Sequence, residues 1–163
     1  MKKLAIRIFV FFLMTVLCCN NIAHAEELSS INTKMIGKAI EKAVPLQFGY
    51  IDNTEYYLRR YFSALPSVDE GYIATSAEST NFNEFGIFRL KNRADQKSAK
   101  KMLQNYLAQR KSEFENGVVY NIEEYPKFQN ATVVSFENYI CYAILTHSDI
   151  KKATLAAKEL LAQ

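Results

Sequence analysis

The strongest constraint on the fold is a run of two β-type segments followed by a long amphipathic helix. Residues 71–75 and 85–90 are rich in aromatic and β-branched side chains, and a polar stretch rich in Ser, Thr and Asn separates them. Apolar residues then recur at helical spacing over residues 94–115, with Asn92 placed to cap the helix and Asn116-Gly117 placed to end it. This segment predicts an antiparallel pair of strands and a helix packed against it.

The same order of patterns returns later in the chain. Residues 132–136 and 139–145 are β-type and flank Glu137-Asn138, which suits a tight hairpin turn, and residues 150–161 have helical spacing with Ser148 or Asp149 as a cap. Shifting the chain by 54 residues superimposes the two stretches. This similarity is either a chance match between two amphipathic patterns or the result of a duplicated strand-strand-helix unit. We predict an α+β, two-layer fold in which the two units form a four-stranded antiparallel sheet with the long helices on one face.

One or two further helices are expected before the sheet. Apolar residues at helical spacing over 31–44 predict a helix that has Ser29 or Ser30 as its N-cap and ends before Pro45. Residues 52–55 resemble a capping box ahead of the aromatic residues 56–62, although a strand is the alternative for that segment. In residues 85–90, both alternating sets of side chains include apolar residues, so both faces of this strand are apolar. We expect the N-terminal helices to cover the second sheet face. An exposed aromatic patch is the alternative.

The first 25 residues have the pattern of a secretory signal peptide. Lys2 and Lys3 precede an apolar run over residues 8–19, and the small residues Ala23 and Ala25 predict cleavage before Glu26. The run of 12 residues is short for a membrane anchor, which needs about 20. Leu17 precedes the first of two adjacent cysteines, which does not suit a lipoprotein signal. We therefore expect residues 26–163 to form a single domain that is secreted or associated with the cell envelope.

Removal of this leader changes what the composition implies. The precursor carries a net charge of +3, and the leader contains three basic residues and no acidic one. The mature chain then has 17 basic and 17 acidic residues, which gives no reason to expect a nucleic-acid partner. The mature chain keeps one cysteine, Cys141, and one histidine, His147, so no disulfide, metal site or cofactor is expected. No apolar run in the mature chain is long enough for a transmembrane helix.

The remaining titratable residues suggest little catalytic chemistry. Cys141 lies between Ile140 and Tyr142 in a buried-type strand, where cysteine is usually a small core residue. His147 with Asp149 suggests a small exported hydrolase as an alternative function, but no nucleophile motif accompanies the pair. Acidic pairs at 69–70 and 123–124 are typical of solvated loops.

A cluster of aromatic and basic residues is the strongest candidate for a site. Its members combine the side chains that are enriched at interfaces and at sites for anionic or planar ligands: Tyr56, Tyr57, Arg59, Arg60 and Tyr61. The alternative is that Tyr57 and Tyr61, one helical turn apart, cover the sheet. We predict a non-catalytic binding module whose partner is an envelope protein or a small ligand; a structural part of an envelope assembly is a further alternative.

Residues 85–90, Tyr125-Pro126 and residues 138–140 resemble segments of an uncharacterised family of exported proteins from Gram-positive anaerobes, known as a domain of unknown function. The resemblance extends from about Phe48 to the C-terminus, and Glu137 stands where the family turn usually has glycine. Many members of that family have leaders that look like lipoprotein signals, and the leader of this chain differs from them. The resemblance implies no activity, cofactor or catalytic residue.

Overall fold

The computed structural model describes residues 31–117 and 121–162. The predicted signal peptide, residues 1–25, lies outside the described residues. In chain order the helices are α1 (Thr33–Ala43), α2 (Thr54–Arg60), α3 (Gln96–Glu115), α4 (Tyr125–Asn130) and α5 (His147–Leu161), and a 3₁₀ turn (Arg93–Asp95) precedes α3. The strands are β1 (Tyr50–Asp52), β2 (Val68–Ser76), β3 (Glu84–Leu90), β4 (Thr132–Phe136) and β5 (Tyr139–Ile144).

All five strands form one antiparallel sheet in the order β1-β2-β3-β5-β4. The central pair is β3 and β5, in which Gly86 lies opposite Tyr142. The β4–β5 hairpin closes with Phe136 opposite Tyr139, so its turn is the predicted Glu137-Asn138. Glu137 has a φ of 50°, in the left-handed region that glycine occupies most easily. The polar connection between β2 and β3 is also confirmed.

Apolar side chains are buried on both faces of the sheet, as expected, but of the two N-terminal helices only α1 covers the second face. On one face α2, α3 and α4 pack on residues such as Ile73, Phe88, Ile140 and Tyr142. On the other face α1 and α5 pack on Tyr72, Phe85, Ile87 and Tyr139. The α+β class is therefore confirmed, and a helix layer covers each face.

Two details of the predicted architecture are wrong. The sheet has five strands rather than four, because β1 is only three residues long and ends in Asp52, too short for an alternating pattern to be recognised. The two long helices lie on opposite faces, so the fold has three layers rather than two. Leu145 explains the second difference: Ile144 points into the α3 side, whereas Leu145 is buried on the α1 side and leads the chain directly into α5. An internal duplication would place both helices on the same face.

The predicted helices form, although their caps differ. Asn32, rather than Ser29 or Ser30, accepts a hydrogen bond from the amide of Met35 at the start of α1. Thr146, rather than Ser148 or Asp149, is the N-cap of α5, and its hydroxyl oxygen accepts a hydrogen bond from the amide of Asp149. The aromatic segment is the helix α2, not a strand.

One short helix was not expected from the sequence. The segment before β4, for which an irregular structure is predicted, contains α4. Pro126 lies in its first turn, where proline is tolerated because its missing N–H would have no intrahelical partner.

Candidate functional site

The five predicted site residues lie on and just after α2, but they point in three directions. Tyr57 is 9% exposed and points into the core beneath the helix. Arg60 and Tyr61 face α3, whereas Tyr56 and Arg59 border a separate recess near β1. The helical twist thus divides the predicted residues between two surfaces and the core.

An open groove runs between the end of α2 and the middle of α3, and we call it the α2–α3 groove. Its lining residues are Arg60, Tyr61, Met102, Asn105, Tyr106 and Gln109. The four from α3 follow the i, i+3, i+4, i+7 spacing of one helix face, which extends about 10 Å along the axis. Among the residues that the structure describes, Arg60 is the only charged one in this lining.

Arg60 is held by aromatic rings rather than by a carboxylate. Its guanidinium carbon lies 5.4 Å from the ring centre of Tyr61 and 5.9 Å from that of Tyr56. A side-chain hydrogen bond to the neighbouring Tyr61 is the main cause that raises the pKa of Arg60, followed by the charge of Tyr56. Within the described residues Arg60 makes no ion pair. Because a guanidinium carries five N–H donors, these contacts leave most of them available to an incoming anion.

The second recess has a different charge balance. Asp52, Asn53, Glu55, Tyr56 and Arg59 line it, so two carboxylates stand beside one arginine. Oδ1 of Asp52 also accepts hydrogen bonds from the amide and hydroxyl of Thr54 at the start of α2. This recess offers no excess positive charge, in contrast to the α2–α3 groove.

A buried carboxylate lies beneath the groove. Glu84, the first residue of β3, is 2% exposed. Its Oε1 accepts hydrogen bonds from the hydroxyls of Tyr106 at 2.5 Å and Tyr142 at 2.9 Å, and its Oε2 accepts from Tyr57 and Arg110, both at 3.3 Å. We call these five residues the Glu84 cluster. Such a buried charge is tolerated only because every side of the carboxylate has a donor.

The surroundings of Glu84 shift the pKa of its partners. Burial, followed by the charge of Glu84, raises the pKa of Tyr106, Tyr142 and Tyr57 above that of free tyrosine. Burial, the largest single cause, lowers the pKa of Arg110, but Glu84 together with Tyr106, Glu113 and Tyr57 outweighs it and the pKa is raised. All three phenols therefore stay protonated and Arg110 stays charged, as their hydrogen bonds to the carboxylate require.

Tyr106 connects the groove to the Glu84 cluster. One side of its ring lines the groove, and its hydroxyl is bound to Glu84. The ring also packs 4.7 Å from Phe62 and 5.4 Å from Tyr61, measured between centroids. The groove floor is thus fixed by the core, which is the condition for a pre-organised binding surface.

A family model described as a domain of unknown function (DUF4358) matches residues 54–145, which is 92 of the 163 residues. The chain belongs to this family. No curated protein and no solved structure matches the chain. The resemblance noted in the sequence is thus confirmed as a domain of unknown function, over a shorter range than expected.

The DUF4358 segment begins with α2 and ends just after β5. It contains the whole α2–α3 groove and the whole Glu84 cluster, whereas α1 and α5 lie outside it. The groove and its buried support are therefore features of the DUF4358 domain itself.

The structure does not favour a catalytic role for the other residues considered, His147 and Cys141. The carboxylate of Asp149 binds the hydroxyl of Thr146 and the amine of Lys152, so it does not orient His147. Burial raises the pKa of Cys141 to about 12, which disfavours its nucleophilic thiolate. The described residues include no group of His, Cys, Asp and Glu that could hold a metal ion. None of their helices has the length and apolar character needed to span a membrane.

Sequence reasoning did not find Glu84 or its partners on α3 and β5. Glu84 stands just before the recognisable β-type run, where a charged residue suggests an exposed strand end. Its three phenol partners lie 27, 22 and 58 residues away in the chain, so no local motif marks them. The one available signal was the unusual content of ten tyrosines.

Proposed function

We propose that this protein is an exported, non-catalytic binding module that recognises an acidic peptide segment through the α2–α3 groove. The observation that carries the proposal is Arg60, a cation supported by two aromatic rings and the only charge that the described residues contribute to the lining. An arginine of this kind can form paired hydrogen bonds with a carboxylate.

The other lining residues suit a peptide. Asn105 and Gln109 carry carboxamides, which can both donate to and accept from a peptide backbone, and Tyr61 offers a ring for stacking. The groove is open along one face of α3, so an extended segment can lie in it without a conformational change.

The predicted leader supports a location outside the cytoplasm, where the partner would be an envelope or secreted protein. Because the mature chain would have no net charge, attraction of an acidic partner must come from a local charge rather than from the whole surface. The α2–α3 groove supplies such a local charge.

A direct test compares short fluorescent oligoglutamate and oligolysine peptides by fluorescence polarisation. We expect oligoglutamate alone to bind, Arg60→Ala to weaken it by about tenfold or more, and added salt to weaken it as well. Arg59→Ala is the matched control, because it removes the neighbouring cation outside the groove. Equal losses in both variants, or no oligoglutamate binding, would rule the groove out.

A further inference from the structure

A second, apolar opening lies on the opposite face of the sheet, between α5 and strands β4 and β5. Val134, Phe136, Cys141 and Ala143 form its floor, and Ala153 and Ala157 form part of its wall. We call it the α5 slot. Its cavity volume is about 70 Å³. This is several times the roughly 10–15 Å³ that one water molecule needs, so the slot is a narrow opening for a thin apolar group.

Small side chains on both sides create the slot. Ala153 and Ala157 of α5 face Cys141 and Ala143 of β5, where larger residues would fill the space. Native cores seldom leave such space between a helix and a sheet.

The mouth of the slot exposes apolar surface. Val134 and Phe136 on the edge strand β4 are each 40% exposed, and both line the opening. Apolar side chains that border a cavity and also face water mark a site that gains from being covered.

Lys158 determines the charge that suits the slot. It is the only charged residue of the lining, and within the described residues it makes no ion pair or side-chain hydrogen bond. An ammonium at the rim of an apolar opening complements a ligand with an anionic head and an apolar body.

A hydrocarbon tail suits the interior better than a peptide. The backbone of β5 on the floor is paired on both sides, with β3 and with β4, and Val134, Phe136 and Ala143 beside it are apolar. A peptide backbone inserted there would lose its hydrogen bonds to water without replacement, whereas a methylene chain has none to lose.

We propose that the α5 slot binds a single-chain amphiphile with a carboxylate head, with the tail among Val134, Cys141 and Ala157 and the head at Lys158. This site is distinct from the α2–α3 groove and lies on the opposite sheet face. Because α5 is outside the DUF4358 segment, the site belongs to this chain rather than to the domain as matched.

A homologous series of straight-chain alkanoates, each below its micelle concentration, tests the proposal by calorimetry on the purified protein. Each added methylene should tighten binding by about threefold to fourfold until the slot is full. The alcohol of the same chain length should bind about tenfold more weakly than the alkanoate, and Lys158→Met should abolish that difference. Lys151→Met, two turns earlier on α5, is the matched control and should not.

Two neighbours on the edge strand separate slot binding from general surface effects. Val134→Asp should weaken alkanoate binding by at least about tenfold, whereas Ser135→Asp, on the opposite face of β4, should leave it unchanged. Thermal melts confirm that both variants are folded, and Arg60→Ala should bind alkanoates normally. Affinity independent of chain length, or equal binding by both β4 variants, would overturn the proposal. So would a concentration-dependent dimer that Val134→Asp disrupts, since it assigns the slot to a second copy of the chain.

Discussion

Tyr106 donates a 2.5 Å hydrogen bond to Oε1 of Glu84 and thereby joins the middle of α3 to the first residue of β3. Tyr57 brings α2, and Tyr142 brings β5, to the same carboxylate. The Glu84 cluster thus connects four elements beneath the α2–α3 groove. The positions of Arg60 and Tyr61 relative to α3 depend on this connection.

Replacement of Glu84 by Gln should destabilise the fold strongly. The glutamine side chain has nearly the same volume but lacks the charge that compensates the largely buried Arg110. Its amide nitrogen cannot accept hydrogen bonds from the tyrosine hydroxyls. We expect the free energy of unfolding to fall by about 3 kcal/mol in urea titrations. Glu113→Gln removes the more exposed carboxylate partner of Arg110 and should cost less than about 1 kcal/mol. Similar losses in the two variants would contradict the role assigned to Glu84.

Stability should decrease at high pH because the phenols of Tyr57, Tyr106 and Tyr142 have raised pKa values. The unfolded chain releases these protons near pH 10, whereas the folded chain retains them, so ionisation favours unfolding above that pH. Each phenol can remove at most about 1.4 kcal/mol per pH unit, and none has an effect well below pH 10. Phenolate absorbance measures this directly, and Tyr142→Phe should reduce the slope. Ionisation of all ten tyrosines near pH 10 in the folded protein would be the opposite result.

Gly86 is required for the close approach of Tyr142. A Cβ atom at this position would lie 2.3 Å from Cε1 of Tyr142, whereas a Cβ at Gly71 would lie 3.2 Å from Phe88. Gly86→Ala should therefore push the phenol away from Glu84 and cost about 2 kcal/mol or more. Gly71→Ala is the matched control on the neighbouring strand and should cost clearly less. A Gly86→Ala protein as stable as wild type in urea would show that the ring can move freely.

The β4–β5 turn should be more stable with glycine at position 137. Glu137 has a φ of 50°, which is strained for most side chains, and its ion pair with Arg93 is exposed. Glu137→Gln removes the charge but keeps the Cβ atom. Comparison with Glu137→Gly therefore isolates the effect of the positive φ on stability. We expect the Gly variant to be more stable than the Gln variant by about 1 kcal/mol in thermal or urea unfolding. The reverse order would mean that unfolded-state entropy outweighs the strain.

Local patterns in the sequence predicted much of the fold. The apolar stripe of α3 and the Glu137-Asn138 turn depend on neighbours within a few residues, and both are confirmed. The choice of sheet face by α5 depends instead on Leu145, whose burial is decided by packing against α1. A hydrophobic pattern does not carry that information, because either face of the sheet could accept the same stripe.

The candidate site was predicted only in part. The sequence prediction named Arg60 and Tyr61, but the opposite wall of the candidate groove comes from α3, which carries no motif at those positions. Glu84 is buried by partners from three distant parts of the chain, and the sequence analysis did not single it out. Convergence of this kind depends on tertiary structure and is the reason why the cluster was missed.

The most direct measurement is a backbone-amide NMR titration of the isotope-labelled protein with the oligoglutamate peptide. Binding in the α2–α3 groove should shift amides at the end of α2, around Arg60 and Tyr61, and along α3 from Met102 to Gln109. The amides of α1 and α5 on the opposite face should not move. Shifts confined to other surfaces, or shifts that persist unchanged in Arg60→Ala, would contradict the proposed binding function.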